Sequence, residues 1–305
     1  MRRAGLVIAV AMVVASCGRT ETPAPAPAPA PAPEAQAAPA APAAMWTVTE
    51  GIKTPESVYF DPASGFIFAS QIDGAPDGRD GNGRIVKLDT SGKVVSATFT
   101  TGLNAPKGLR AVNGTLWTAD LDELVGIDIN TGKITSRVKI ADAKNLNDVA
   151  TASDGTVYVS DMPASRIYAV KGGKAEVFLD GEQVEHANGL LVDGNRLIVG
   201  GWGSEPKADF STDVPGHLFA VDRQSKQKTL ITPEPLGNID GLEMDGKGNY
   251  LVTDFLKGQV VRVSPDGKSQ VVAQFKPGSA DFGVMPGHII VPHMNENTIG
   301  AYMLP

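Results

Sequence analysis

The stretch Asn238–Asp254, NIDGLEMDGKGNYLVTD, decides the fold of this chain. It reads as a short apolar strand, a tight glycine-containing turn and a second strand that ends in Val252-Thr253-Asp254. Five other stretches repeat this order, and a polar residue marks the start of each copy. The six markers are Glu56, Lys107, Asn147, Asn188, Asp240 and Asp281, spaced 51, 40, 41, 52 and 41 residues apart. Six repeats of roughly 45 residues, each made of short strands, predict an all-β, six-bladed β-propeller.

The ends of the globular region predict how the ring closes. We expect the propeller to span residues 45–305, and its last repeat supplies only three strands, at Gly283–Met285, His288–Val291 and Thr298–Met303. Trp46–Thr49 alternates like a strand but precedes the first repeat. It is therefore predicted to be the outer strand of the last blade, because closure removes a long unpaired edge.

The first residues have the order of an export signal. Two arginines precede an apolar run too short to span a membrane, and small residues lead into Cys17, the only cysteine. The order resembles a bacterial lipobox, so residues 1–16 are predicted to be a signal peptide and Cys17 a lipidated N-terminus. The alternative is a plain signal peptide that happens to end beside a cysteine. Gly18 suits an outer-membrane lipoprotein that faces the periplasm.

A Pro/Ala-rich linker follows over residues 17–44. The stretch Pro23–Ala44 favours polyproline II, which has no core of its own. Fully extended, it would reach roughly 70 Å. We expect it to hold the propeller away from a membrane to which the lipid on Cys17 anchors the protein, in the bacterial cell envelope.

Composition narrows the classes of partner. The formal net charge is −7 and no block of Lys or Arg is present, which argues against nucleic-acid binding. With 42% hydrophobic residues the chain can bury a large core. Repeats that close on themselves predict a monomer, and the expected partner is a small-molecule substrate or ligand.

Two insertions point to one face of the disc. Gln71–Gly83 and Gly203–Gly216 account for the two long marker spacings, and both follow the second strand of their blade. They are therefore predicted to lie on the same face. Because functional residues concentrate on loops that a rigid scaffold positions, we expect the site there.

The markers themselves predict a polar ring around the propeller axis. Three of them are acidic and two are amides, and such a group repels itself unless a positive charge neutralises it. Oxygen ligands suit a hard divalent cation, so Ca²⁺ is expected, with Mg²⁺, Mn²⁺ or Zn²⁺ as alternatives. The competing interpretation is a metal-free ring in which Lys107 pairs with Glu56 or with an aspartate.

Four dipeptides carry a family resemblance: Pro55-Glu56, Asn147-Asp148, Asn188-Gly189 and Asp240-Gly241. Their order and spacing resemble the regucalcin/gluconolactonase family of six-bladed propellers over residues 45–305. The resemblance implies a divalent metal held by Glu56, Asn188 and Asp240, which polarises a sugar lactone for hydrolysis. It also implies that Asn147 contacts the substrate and that Asp240 is the general base.

The chain departs from that family at two positions. Asn145 stands where members that act on sugars carry an arginine, and Ser57 stands where glycine is usual. Lys107 adds a cation to the ring.

Further candidates come from position in the repeats. Lys107, Asp281, His186 and Trp202 are expected on the substrate side, the last two because they lie beside Asn188 and the second insertion. Three aspartates that end second strands at the same phase are instead expected to cap loops: Asp120, Asp161 and Asp254.

Two functions remain open from the sequence. The first is a metal-dependent hydrolase of lactones or related esters on an exported lipoprotein. The second is a non-catalytic propeller that binds a ligand or a protein at the same mouth. The position of the Lys107 ammonium group distinguishes them, since an ammonium at the centre of the ring would exclude a metal.

Overall fold

A computed structural model describes residues 9, 11–12, 39 and 41–304. Cys17 and most of the predicted signal peptide and linker lie outside the described residues. No helix within the described part of the chain is long and apolar enough to cross a membrane.

The described residues form 24 strands in six antiparallel sheets of four. After an N-terminal strand β1 (Ala44–Val48), blade 1 contains β2 (Pro55–Asp61), β3 (Phe66–Gln71), β4 (Gly83–Leu88) and β5 (Val94–Leu103). Blade 2 contains β6 (Pro106–Val112), β7 (Thr115–Asp120), β8 (Glu123–Asp128) and β9 (Ile134–Lys139). The first strand of each blade is the innermost, and it either contains the marker residue or begins two residues after it.

The next two blades have the same order. Blade 3 contains β10 (Leu146–Thr151), β11 (Val157–Asp161), β12 (Arg166–Lys171) and β13 (Lys174–Asp180). A 3-10 helix, Glu182–Val184, leads into blade 4, which contains β14 (Leu190–Asp193), β15 (Arg196–Gly200), β16 (Leu218–Asp222) and β17 (Lys228–Leu230).

The last two blades complete the ring. Blade 5 contains β18 (Ile239–Met244), β19 (Tyr250–Asp254), β20 (Gln259–Val263) and β21 (Ser269–Gln274). Blade 6 contains β22 (Gly283–Met285), β23 (His288–His293) and β24 (Thr298–Met303), with a 3-10 helix at Met294–Glu296. The predicted six-bladed propeller is confirmed.

Blade 6 takes its outer strand from the beginning of the domain. β1 pairs antiparallel with β24, with Trp46 opposite Ala301 and Val48 opposite Ile299. The predicted closing strand is therefore confirmed, although it begins at Ala44 rather than at Trp46. Main-chain hydrogen bonds also join the inner strands of blades 1 and 6, at 3.0 Å from Val58 N to Asp281 O and from Asp281 N to Glu56 O.

The hydrophobic core is divided among the interfaces between blades. Six clusters of buried residues each combine side chains from two adjacent blades. One of them packs Phe68 and Ile85 of blade 1 against Leu109 and Leu116 of blade 2. Because every blade is buried on both faces in this way, the ring holds the starts of its inner strands in fixed positions.

Candidate functional site

The inner strands of four blades start with the same irregularity. The antiparallel register shifts between Pro55 and Val58, Pro106 and Leu109, Leu146 and Val149, and Ile239 and Leu242. Each of these intervals contains a marker residue: Glu56, Lys107, Asn147 or Asp240. A β-bulge re-aims a side chain and leaves main-chain groups unpaired. The repeated bulge therefore turns the markers away from the regular pattern of the sheet.

Hydroxyl groups on the second strands accept hydrogen bonds from main-chain N–H groups that the bulges leave without a partner in the sheet. In three blades the residue after the marker donates its main-chain N–H to a Ser or Thr of the adjacent strand. The pairs are Ser57 N to Ser70 Oγ at 2.9 Å, Asp148 N to Ser160 Oγ at 2.9 Å and Gly241 N to Thr253 Oγ1 at 2.7 Å. These buried bonds hold the bulges in shape.

Aspartates at the ends of three second strands cap loops: two of them bind the loop that leads to a marker, and the third binds the turn that follows its own strand. The Asp120 carboxylate accepts hydrogen bonds from Asn104 N at 3.0 Å and Ala105 N at 2.8 Å. Asp161 accepts from Lys144 N at 2.7 Å, and Asp254 accepts from Lys257 N at 3.1 Å. The predicted loop-capping role of these aspartates is confirmed.

Five of the six markers line one cavity of about 260 Å³. They are Glu56, Lys107, Asn147, Asn188 and Asp240, and all except the half-buried Asn147 are buried. Both insertions also contribute, Ile72 and Pro76 from the first and Phe210 from the second. The prediction that the two insertions share a face with the ring is thereby confirmed.

Three oxygens in this cavity are buried without a hydrogen-bond partner. They are Glu56 Oε2, Asn188 Oδ1 and Asp240 Oδ1, the three residues expected to be metal ligands. Unpaired buried acceptors are costly, and two carboxylates with one amide carbonyl form a donor set that suits a hard divalent cation. The described residues contain no group of three or more Asp, Glu, His or Cys placed to hold a metal, so the fit depends on the Asn188 carbonyl.

Burial and mutual repulsion raise the pKa values of these acids. Burial raises the pKa of Glu56 well above its usual value, and the nearby Asp240 and Asp281 carboxylates raise it further. Burial and Asp281 likewise raise the pKa of Asp240, while a hydrogen bond from Asn188 opposes the rise. The cavity floor therefore favours either bound protons or a bound cation.

Lys107 forms no direct ion pair with the acids of the ring. Its Nζ donates to Asn145 Oδ1 at 2.9 Å and to Ala105 O at 3.3 Å, and no ion pair joins it to any carboxylate of the described residues. Burial lowers the pKa of Lys107, and the Glu56 charge opposes that effect. The metal-free ring in which Lys107 pairs directly with Glu56 or an aspartate is therefore not observed.

Trp202 lies in the cavity wall, as expected from its position beside the second insertion. Its Nε1 donates to Phe210 O at 2.8 Å, and its ring lies 5.9 Å from the ring of Phe255. The Asn238 side chain donates to Trp202 O at 2.8 Å and to Thr212 Oγ1 at 3.0 Å. These contacts fasten the second insertion over the cavity.

Asp281 and His186, also expected on the substrate side, do not line this cavity. The Asp281 Oδ2 accepts a hydrogen bond from Ser57 Oγ at 2.5 Å, which turns the carboxylate towards blade 1. The His186 Nδ1 donates to Met162 O at 2.9 Å, and the residue lines a separate depression with Glu185 and His217. Local hydrogen bonds direct both side chains away from this cavity, and their expected roles on the substrate side stay predictions.

A second buried polar layer lies further along the inner strands, and sequence reasoning missed it. Arg110 Nη1 forms an ion pair with Glu243 Oε1 at 2.6 Å. Asp148 accepts from Val149 N at 2.7 Å and Leu190 N at 2.6 Å, and burial raises its pKa to about 7. The sequence contained a sign of this layer, because Arg110 and Glu243 are charged residues that each lie three residues after a marker on an inner strand.

Comparison with known proteins identifies a family match. The sequence profile described as "SMP-30/Gluconolactonase/LRE-like region" matches residues 80–277, more than half of the chain. The matched range contains Asn147, Asn188 and Asp240, while Glu56 precedes it. A search of curated proteins found no match.

Solved structures with a similar fold come from several kinds of protein. A nidogen/laminin complex matches with a TM-score of 0.59 and 14% identity, covering 82% of this chain and 88% of that one. A streptogramin B lyase matches with a TM-score of 0.59 and 12% identity, over 85% and 96% of the two chains. A catalytically inactive virginiamycin B lyase from Staphylococcus aureus with quinupristin matches with 0.58 and 13%, over 85% and 98%. At these identities the likeness shows the fold alone.

Proposed function

The chain belongs to the SMP-30/gluconolactonase/LRE-like family, and from that premise we propose that it is a divalent-metal-dependent hydrolase of lactones or related esters. The observation that carries this proposal is the set of three unpartnered, buried oxygens on the floor of one cavity, Glu56 Oε2, Asn188 Oδ1 and Asp240 Oδ1. Ca²⁺ is the first candidate, because all three ligand atoms are hard oxygens.

Glu56, Asn188 and Asp240 would hold the cation. Polarisation of the substrate carbonyl, which stabilises the negative charge that develops on its oxygen, is the chemistry that such a cation supplies when bound. Removal of any one ligand would leave the other two acceptors buried without a partner, so the three are expected to act together.

Asp240 is proposed as the general base. Its carboxylate takes a proton from a water molecule, and the water oxygen forms a bond to the carbonyl carbon of the lactone. The bond between that carbon and the ring oxygen then breaks, and the ring oxygen takes the proton from Asp240, which gives a hydroxy acid and restores the carboxylate. The Asn147 side chain has no hydrogen-bond partner within the described residues and lines the same cavity, so it is available to orient the substrate.

The placement of Lys107 favours this function over a non-catalytic binding propeller. A binding propeller without a metal would need an internal cation or bound protons to neutralise its acids. The Lys107 ammonium instead binds Asn145 Oδ1 and Ala105 O, which leaves the acidic oxygens unpaired.

Calorimetric titration tests the proposal. Ca²⁺, Mg²⁺, Mn²⁺ and Zn²⁺ are titrated into metal-stripped protein, into Asp240→Ala and into Asp77→Ala. Asp77 lines the exposed part of the same cavity, so its variant is a matched control for the loss of one carboxylate. We expect one-site binding in the wild type and in Asp77→Ala, with a loss of at least about a hundredfold in Asp240→Ala. If none of the cations binds the wild type, the hydrolase proposal fails and the ligand-binding propeller takes its place.

A further inference from the structure

We propose that the substrate of this site carries an apolar group, such as an alkyl chain, next to the reacting ester, rather than the hydroxyl groups of a sugar lactone. The inference rests on the proposed function for the reacting ester. The apolar group is inferred independently, from the walls of the cavity.

The walls of the cavity are mainly apolar, in contrast to its floor. Six large side chains from several blades and from both insertions contribute to them: Ile72, Met162, Trp202, Phe210, Phe255 and Met294. Pockets of this composition hold ligands through apolar contact, and a few polar groups set the orientation. The ester would lie at the polar floor, and the rest of the molecule would contact the walls.

Several polar groups above the floor are engaged within the protein, whereas the cavity-lining Asn147 and Asp77 side chains have no hydrogen-bond partner among the described residues. Trp202 Nε1 donates to Phe210 O, so the indole presents only its apolar surface to the cavity. Asn145 Oδ1 accepts from Lys107, and its Nδ2 donates to Pro76 O at 3.4 Å. A ligand rich in hydroxyl groups would lose hydrogen bonds to water and find few replacements here.

Phe210 gives the clearest sign of an apolar ligand. It is 49% exposed at the cavity, within an insertion that Trp202 and Asn238 fasten in place. Its backbone has a φ of +63°, an unusual conformation for a bulky side chain. An exposed aromatic ring held in this way loses contact with water when an apolar group packs against it.

The size of the cavity limits the substrate. Its volume of about 260 Å³ is close to the lower end of small-molecule pockets, which begin at roughly 300 Å³. A ring lactone with a short alkyl chain is therefore the preferred class. Each methylene buried against the walls should increase affinity about fourfold until the cavity is full.

A matched series of δ-lactones tests this inference on the full chain. δ-Valerolactone, δ-octalactone and δ-decalactone share one reactive ring and differ in alkyl length, while D-glucono-δ-lactone replaces the alkyl chain with hydroxyl groups. Two quantities are measured: kcat/KM in the presence of the cation that binds, and affinity from tryptophan fluorescence, to which Trp202 contributes from the cavity wall. We expect both to rise about fourfold per methylene over the first additions, with the gluconolactone well below δ-decalactone.

In the variant Phe210→Ala, the increase in kcat/KM and in affinity from δ-valerolactone to δ-decalactone should be about tenfold smaller than in the wild type. Leu230→Ala is the matched control, because Leu230 is 47% exposed and lies outside the cavity, and it should keep the full dependence.

The outcomes separate this inference from the proposed function. Cation binding and hydrolysis without any dependence on alkyl length would overturn the apolar substrate and leave the hydrolase standing. Affinity that rises with alkyl length, in a protein that binds no cation and hydrolyses none of the lactones, would overturn the hydrolase and keep the apolar ligand. Absence of both binding and hydrolysis would overturn both.

Discussion

At the scale of single residues, Lys107 has the strongest expected influence on the site. Its buried ammonium group lies near enough to Glu56 for each charge to shift the pKa of the other. It binds Asn145 Oδ1 and Ala105 O rather than a carboxylate. It therefore adds a positive charge to the cavity without completing an ion pair, which opposes the binding of a second cation.

Replacing Lys107 by glutamine should strengthen cation binding. Removal of the positive charge is expected to increase the affinity for Ca²⁺ by about 5- to 30-fold, because a partly screened charge at this range contributes about 1–2 kcal/mol. Calorimetry measures the change, and Lys139→Gln, at an exposed lysine of blade 2, serves as the control. Weaker binding in Lys107→Gln with unchanged stability would show that Lys107 supports the site rather than opposing a cation.

At the scale of elements, the bulged start of the inner strand is the unit that builds the site. The bulge directs a marker towards the cavity, and a Ser or Thr of the second strand binds the released amide, as at Ser70 and Ser160. This explains why the second strands of blades 1, 3 and 5 carry a Ser or Thr directly before their last residue. Such endings look like ordinary loop caps in the sequence, and their partners across the bulge appear only in the folded blade.

The closing strand β1 offers a test at the same scale. Gly92, in the turn between β4 and β5, has a φ of +85°, and a Cβ there would lie 2.6 Å from ring atoms of Trp46 on β1. Trp46 also donates from Nε1 to Thr90 O at 3.1 Å, so this contact attaches the closing strand to blade 1. Gly92→Ala should therefore destabilise the protein through both the backbone and the contact.

We expect Gly92→Ala to cost about 2–4 kcal/mol, of which about 1 kcal/mol comes from the left-handed backbone and the rest from overpacking. Gly155→Ala is the control, because Gly155 has a φ of +80° in an equivalent turn and a Cβ there would meet only Asn113 Nδ2, at an ordinary contact distance of 3.9 Å. This variant should therefore lose only the part of the stability that comes from the backbone. Urea denaturation measures both variants. In the background of Trp46→Ala the two losses should become equal; a difference that persists there would assign the extra cost to another contact.

At the scale of the whole molecule, ring closure gathers acids that are far apart in sequence. Burial raises the pKa of Glu56, Asp240 and Asp281 well above their usual values, and that of Asp148 to about 7. In the unfolded chain these groups titrate near pH 4. Between those values the folded protein binds more protons than the unfolded chain, so its stability decreases as pH rises.

The cation-free protein should therefore lose stability between about pH 5 and pH 8. Burial lowers the pKa of His293, which opposes this trend. The dependence of Tm on pH is therefore compared between the wild type and variants of single acids. Asp281→Asn should reduce the decrease in Tm with rising pH, whereas Asp77→Asn, at an exposed carboxylate, should leave it unchanged. Scanning calorimetry with a chelator measures the slope, and saturating Ca²⁺ should reverse it. A Tm that is independent of pH in both the wild type and Asp281→Asn would contradict the raised pKa values.

The membrane anchor is a prediction about the whole molecule that rests on sequence alone. Replacing Cys17 by serine should remove the lipid attachment site, so the protein should move from the membrane fraction to the soluble fraction after export. Cell fractionation and mass spectrometry of the mature N-terminus measure the outcome. An equal distribution of wild type and Cys17→Ser would exclude lipid anchoring at this residue.

The sequence by itself determined the six blades, the strands within them, the strand that closes the ring and the face that carries both insertions. These features follow from local patterns, since the alternation of side chains and the chemistry of turns act over a few residues. It also placed the six markers around the axis, because equivalent positions in a repeat fall on one circle, and the family resemblance singled out Glu56, Asn188 and Asp240 among them as the expected metal ligands.

Only the tertiary structure decided which of the markers share the cavity. Ser57 turns Asp281 away, the Met162 carbonyl holds His186 elsewhere, and Asn145 binds the Lys107 ammonium group. The apolar walls likewise join Met162, Phe255 and other side chains from separate blades. Such contacts depend on side-chain direction and on distances between residues far apart in the chain, and a local pattern contains neither.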